Sequence, residues 1–198
     1  MRIEILLYDG FDELDGIAPY EVLRTAEENG AEIHAVLVGA YGAGTVTASH
    51  GTRIQVDAGV SEAAEMVMVP GGSWNSRGER GAWAEARRGE VPATIAAAQQ
   101  RGARIASVCT GAMLLAAAGI TDGRPATTHH TALEDLRESG ARVIDARVVD
   151  DGDLMTAAGI TSGIDLALHI VEQQAGAEIA DKVADEIEYE RRFEVARA

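Results

Sequence analysis

Ala103-Arg104-Ile105-Ala106-Ser107-Val108-Cys109-Thr110-Gly111-Ala112-Met113-Leu114-Leu115 reads as an apolar strand, a sharp turn and then a helix. Cys109, the chain's single cysteine, falls at the turn. A side chain there projects from the carboxyl end of a sheet. It also lies beside a helix N-terminus, whose partial positive charge is expected to stabilise a thiolate. A free cysteine is ordinarily a small buried hydrophobe. The strand–Cys-Thr-Gly–helix setting favours a nucleophile instead.

Working outward from this turn, strands alternate with helices, which predicts a mainly parallel sheet covered on both faces. Strands are expected at Ile3 to Tyr8, Glu32 to Val38, Met66 to Val69 and Ile105 to Val108. Thr45 to Val56 reads as extended or hairpin structure. Val143 to Met155 reads as strands around a turn at Asp151-Gly152. Helices are expected at Pro19 to Asn29, Val91 to Gln100, Thr131 to Glu138, Thr161 to Gln174 and Ala177 to Arg192. Pro19 fits a first helical turn and Gly30 a helix end. Trp74 to Glu90 is the least regular stretch. With Trp74 and Trp83 it reads either as a pocket wall or as a surface loop with two anchoring tryptophans. No repeat or linker interrupts the pattern, so residues 1–198 are expected to form one domain.

Composition narrows the function. A net charge of −15 argues against a nucleic-acid surface, which needs clustered Lys and Arg. Lys182 is the only lysine, which leaves Schiff-base and P-loop chemistry almost without a candidate. One cysteine excludes an internal disulfide framework and a Cys-based zinc cluster. His130 and Glu134 have one-turn spacing, but no further ligands join them, so no metal and no cofactor are expected. The first residues read as a strand rather than a signal peptide, and no apolar run approaches a membrane span. A cytoplasmic location is the simplest expectation. Abundant Asp and Glu with almost no Lys fits a high-GC genome or high-salt adaptation equally well.

In open α/β sheets, ligands bind at the carboxyl ends of strands. Three such ends stand out: Tyr8 to Asp15, Pro70 to Ser73, and Cys109 to Gly111. They offer a carboxylate, a glycine turn with free backbone N–H groups, and a thiol. Addition or acyl-transfer chemistry needs a nucleophile, a proton carrier and oxyanion donors. Asp12, Glu13 and Asp15 all compete for the acid–base role, and Asp15 is equally a helix cap. Gly71 and Gly72 suit a tight turn. Functionally, the Gly72 and Thr110 N–H groups would face the reacting atom, and the Thr110 hydroxyl would bond sulfur or substrate. His129 either lines the Cys109 pocket or makes a structural hydrogen bond. His34, His50 and His169 read as structural, and Asp150, Asp151 and Asp153 as a solvated turn.

These residues resemble a known family. Ser107-Val108-Cys109-Thr110-Gly111-Ala112, Asp122-Gly123-Arg124 and Ala126-Thr127-Thr128-His129 are similar to the ThiJ/PfpI superfamily, and most to its isonitrile hydratase (isocyanide hydratase) branch. So are Leu14-Asp15, Pro19-Tyr20-Glu21-Val22-Leu23, Val69-Pro70-Gly71-Gly72 and Ala158-Gly159-Ile160-Thr161-Ser162-Gly163-Ile164-Asp165. The resemblance implies a flavodoxin-like α/β sandwich and a homodimer. It implies a nucleophile at Cys109, an acid partner at Asp15, and backbone donors at Gly72 and Thr110. The implied reaction is hydration of an isonitrile, a small electrophile, to an N-substituted formamide. Thr110 stands where the hydrolase-like branch has a His. Asp15 stands where the glyoxalase and deglycase-like branch usually has a Glu. His130 stands where the hydratase pattern has a Trp. Two rival expectations remain: glutathione-independent conversion of methylglyoxal to lactate with His129 as proton carrier, and a non-enzymatic redox or ligand sensor using Cys109.

Overall fold

The structure, a computed structural model, describes residues 1–191 and 195–197. Its strands are β1 (Arg2–Leu7), β2 (His34–Gly39), β3 (Gly44–Thr47), β4 (Arg53–Val56), β5 (Met66–Val69), β6 (Arg104–Val108), β7 (Pro125–Ala126), β8 (Arg142–Val143), β9 (Val148–Asp150), β10 (Leu154–Ala157) and β11 (Ala196–Arg197). Its α-helices are α1 (Glu13–Glu28), α2 (Ala82–Arg88), α3 (Glu90–Gln100), α4 (Gly111–Ala117), α5 (Leu133–Glu138), α6 (Ser162–Ala175) and α7 (Ala177–Glu186). The main sheet runs β11-β9-β10-β6-β5-β1-β2. Its neighbouring strands pair parallel except β9 against β10. β5 and β6 are buried along nearly their whole length, as strands covered on both faces must be. Helices α1, α6 and α7 pack together, while α2, α3, α4 and α5 form a second contacting group. The α/β sandwich expected from the alternating pattern is present. The chain turns from β1 to β2 on one side and reaches β5 on the other. That reversal is the kind of switch point where such sheets bind ligands. No helix among the described residues is long and apolar enough to cross a membrane.

Several local expectations need correction. Helix α1 begins at Glu13, not Pro19. Asp12 caps it, its carboxylate accepting from the Leu14 N–H at 3.1 Å. Pro19 therefore sits in the helix interior, where it lacks the N–H that the Asp15 carbonyl would accept. The ring packs against Gly163 of α6, where an added Cβ would lie 3.0 Å from Pro19 Cγ. Tight packing between the two helices holds the proline in place. The irregular Trp74–Glu90 stretch contains α2, a seven-residue helix bounded by Gly81 at φ +91° and Gly89 at φ +82°. Both glycines signal a loop in sequence, and seven residues are too few for a clear period. The last helix ends at Glu186. Glu188 takes φ +50°, and the Tyr189 N–H bonds back to the Ala184 carbonyl at 2.8 Å, closing the helix as a Schellman turn does. Its expected end, Arg192, lies outside the described residues. Asp150 is not part of a solvated turn. It is buried and accepts from the Gly152 N–H and Gln173 Nε2, and it hydrogen-bonds His169 Nε2. Only Asp151 and Asp153 follow the turn reading, and both bind Arg124.

Candidate active site

Four adjacent strands, β1, β5, β6 and β10, end at the same edge. The first turn of α1 after β1 carries Asp15, and the loops after the other three carry Gly71–Gly72, Cys109 and Ile160. Cys109 follows β6 directly and has φ +56°, a left-handed backbone that a non-glycine residue adopts only when its surroundings enforce it. Its N–H bonds to the Ala157 and Ala158 carbonyls at 3.1 and 2.9 Å, and its carbonyl accepts from the Thr128 hydroxyl at 2.8 Å. Two glycines allow the turn to close. A Cβ at Gly71 would lie 2.4 Å from the Thr110 nitrogen, and one at Gly111 would lie 2.1 Å from the Val69 oxygen.

The three competing carboxylates are separated by what they bind. Asp12 is the helix cap. Glu13 faces outward and accepts from the His50 N–H at 3.0 Å and from the Ser49 hydroxyl at 3.1 Å. Asp15 is 0% exposed. Its Oδ2 accepts from the Gly71 N–H at 3.0 Å. Its Oδ1 makes no well-formed hydrogen bond among the described residues, yet the carboxyl lies close enough to Cys109 for each group to shift the other's titration. The backbone donors differ from expectation. The Gly71 N–H is spent on Asp15, and the Gly72 N–H donates to the Thr110 hydroxyl at 3.0 Å. Neither is free. The N–H groups of Thr110 and Ile160 are the backbone donors that act to lower the thiol's pKa. Ile160 was missed by sequence reasoning. Its signal was Ala158-Gly159-Ile160, a small-residue break between a strand and a helix.

Electrostatically the site is dry and short of positive charge. Burial pushes the Asp15 carboxyl up to about 7, and the nearby Asp12 charge pushes the same way. Burial also pushes the Cys109 thiol up to about 12, followed by the Asp15 charge; the Thr110 and Ile160 N–H groups offset only part of this. Burial and the Asp15 carboxylate thus act on the thiol in the opposite direction to the helix N-terminus, which favours a thiolate. Helix α4 starts two residues beyond Cys109, at Gly111. Tyr8, buried with its hydroxyl on the Pro70 carbonyl at 2.6 Å, is held well above its ordinary value by burial and by Asp15.

A cleft of about 430 Å³ lies beside the elbow, lined by Thr128, His129, Arg147, Ile160 and Ser162 among others. His129 makes the structural hydrogen bond, and the cleft it lines does not have Cys109 in its lining. Its ring lines the cleft, while Nδ1 accepts from the Thr131 N–H at 3.3 Å and lies 2.8 Å from the Thr131 hydroxyl. Burial and His130 lower its pKa from the ordinary value. Trp74 behaves as the anchoring alternative. It is buried, donates from Nε1 to Asp135 at 2.6 Å and packs edge-on against Trp83 at 5.1 Å. Among the described residues no three His, Cys, Asp or Glu side chains are grouped to hold a metal ion.

The model of the DJ-1/PfpI family matches residues 1–173 of this sequence. The chain belongs to the DJ-1/PfpI family. It is 31% identical over 192 residues to isonitrile hydratase of Pseudomonas putida, spanning 96% of this chain and 78% of that protein. It is 32% identical over 162 residues to deglycase TK1284 of Thermococcus kodakarensis, spanning 79% and 89%. Among solved structures, a ThiJ/PfpI family protein from Pseudomonas syringae superposes with a TM-score of 0.83 at 28% identity, covering 96% of this chain and 76% of that one. DJ-1/PfpI relatives thus include both an isonitrile hydratase and a deglycase at about 30% identity. In this member the elbow cysteine pairs with an aspartate, and a threonine follows it.

Proposed function

We propose that this DJ-1/PfpI member is a cysteine-dependent hydro-lyase that adds water to an isonitrile to give an N-substituted formamide. The observation that carries the reading is the buried Asp15–Cys109 pair: Asp15 is 0% exposed, Cys109 is 6% exposed, and Asp15 keeps Oδ1 without a well-formed hydrogen bond among the described residues. The terminal carbon of an isonitrile must gain both a sulfur and a proton. The pair holds both, and the proton belongs to the two groups jointly. Cys109 attacks that carbon while Asp15 relays the thiol proton to it, giving a thioimidate. Water then adds across the C=N bond with Asp15 as general base. The tetrahedral adduct collapses to the formamide and restores the thiol. The Thr110 and Ile160 N–H groups face the sulfur side of this sequence, and the Thr110 hydroxyl orients the adduct. The roles of Asp15, Cys109 and Thr110 belong to this reading, with Gly71 holding the Asp15 carboxyl and Gly72 holding the Thr110 hydroxyl. So do a homodimer, a cytoplasmic location, residues 1–198 acting as one domain, and a substrate that is a small electrophile.

The test is formamide production from cyclohexyl isonitrile by wild type and Cys109→Ala. Turnover in wild type alone is the expected result. Retained turnover in folded Cys109→Ala overturns the mechanism, and no turnover in folded wild type rejects this substrate. A deglycase-like or glyoxalase-like reading is favoured by one observation: His129 has a lowered pKa and lines the cleft beside Ile160, so it is a neutral base close to the elbow. Under that reading His129→Ala loses lactate formation from methylglyoxal, whereas hydration is indifferent to it.

A further inference from the structure

We propose that Thr128 is a positioning residue: its hydroxyl, by holding the Cys109 carbonyl, keeps the sulfur aimed at the Thr110 and Ile160 N–H groups. The inference rests on reading Cys109 as the nucleophile.

Cys109 has a left-handed backbone, and its carbonyl lies outside the α4 hydrogen-bond ladder. The residue four positions on, Met113, bonds the Thr110 carbonyl instead, at 3.1 Å. The Ala112 N–H approaches the Cys109 oxygen only to 3.5 Å, a weak contact. Among the described residues the one short bond to that buried oxygen is the 2.8 Å donation from Thr128. Thr128 is itself fixed. It is 1% exposed, and the neighbouring Thr127 N–H donates to the Thr156 hydroxyl on β10 at 2.9 Å. Thr156 is in register with Ser107 of β6, two residues before the nucleophile. The segment after β7 is thus tied to the sheet at one residue and to the elbow at the next. With Cys109 N–H held by Ala157 and Ala158, Thr128 closes the other side of the residue. Removing its hydroxyl leaves a buried carbonyl without a good donor, and the strained turn relaxes by rotating that peptide. The sulfur then leaves the two N–H groups that favour its ionised form.

The test uses alkylation of the single cysteine by iodoacetamide, followed by mass spectrometry, so it does not pass through isonitrile turnover. Failure here and failure of the hydratase reading are therefore separate. Thr128→Val removes the hydroxyl with little change of shape, and Thr128→Ser restores it. At about pH 8 the Val variant should react about fivefold more slowly than wild type, because less of its thiol is ionised. The Ser variant should stay within about twofold of wild type. Melting curves confirm the fold of each. An unchanged or faster Val variant, or a Ser variant as slow as Val, overturns the proposal. If Val does not fold, Ala is compared with Ser in the same way. Loss of the fold in both Val and Ala makes the hydroxyl a stability element and also overturns the positioning role.

Discussion

Two buried aspartates, Asp15 and Asp150, occupy opposite electrostatic situations in one fold. Burial pushes both upward. At Asp150 that push is outweighed by the His169 hydrogen bond, the Gly152 N–H and Gln173, and the carboxyl ends below its ordinary value. Asp15 receives one N–H, from Gly71, keeps an oxygen without a well-formed bond, and ends near 7. The difference lies in the supply of donors and in depth, since Asp15 is wholly buried and Asp150 is 9% exposed. A satisfied carboxylate holds elements together: Asp150 ties β9 to α6. An undersupplied one stores a proton at neutral pH, and Asp15 does so beside a thiol.

The sharpest way to break this contrast is kinetic. Asp15→Asn should slow hydration by roughly 100- to 10,000-fold, the usual worth of a general acid–base group, with the fold intact in a melting curve. A smaller loss would remove Asp15 from proton transfer. Stability against pH comes next. The folded pKa of Asp15 lies above its unfolded value near 3.8, so folding retains a proton in the window from about 4 to 7. Its contribution is fully present below that window and is lost as pH rises through about 7. Asp15→Asn should therefore stabilise the fold more at pH 8 than at pH 4, by on the order of 4 kcal/mol at about 1.4 kcal/mol per pKa unit. Denaturant titrations at both pH values measure this. Asp150 has the opposite sign. Its pKa is lowered, so its contribution is present above the unfolded value and lost as pH falls through the folded one. Asp150→Ala should cost about 2–3 kcal/mol at neutral pH by leaving buried donors unpaired, while the rate of Cys109 alkylation stays at the wild-type level. A changed alkylation rate would mean that the two sites are coupled through α6. The smallest effect is expected at Trp74. Trp74→Phe removes the bond to half-exposed Asp135, which water can replace, and should lower stability by about 1 kcal/mol, or about 2–4 °C in Tm.

Much of this was legible in the chain. The alternation of apolar strands with helices specified the parallel sandwich, because each element must bury one face. The position of the cysteine between an apolar strand and Thr-Gly located the elbow. Single residues at close-packed corners were less legible. Pro19 looked like a helix start, because nothing local reveals that Gly163 of α6 packs against it. Asp150 looked solvated within its acidic run, because His169 and Gln173 are 19 and 23 residues away in the chain.

The sequence by itself determined the layers, the strand edge that bears the site, and the presence of one thiol among several carboxylates. Those follow from hydrophobic period and from residue identity. Tertiary structure decided which carboxylate meets the thiol, which N–H groups remain available to it, and that burial and Asp15 push the thiol upward. These depend on desolvation and on hydrogen bonds between residues far apart in the chain, such as Asp15 with Gly71, Thr110 with Gly72, and Thr128 with Cys109.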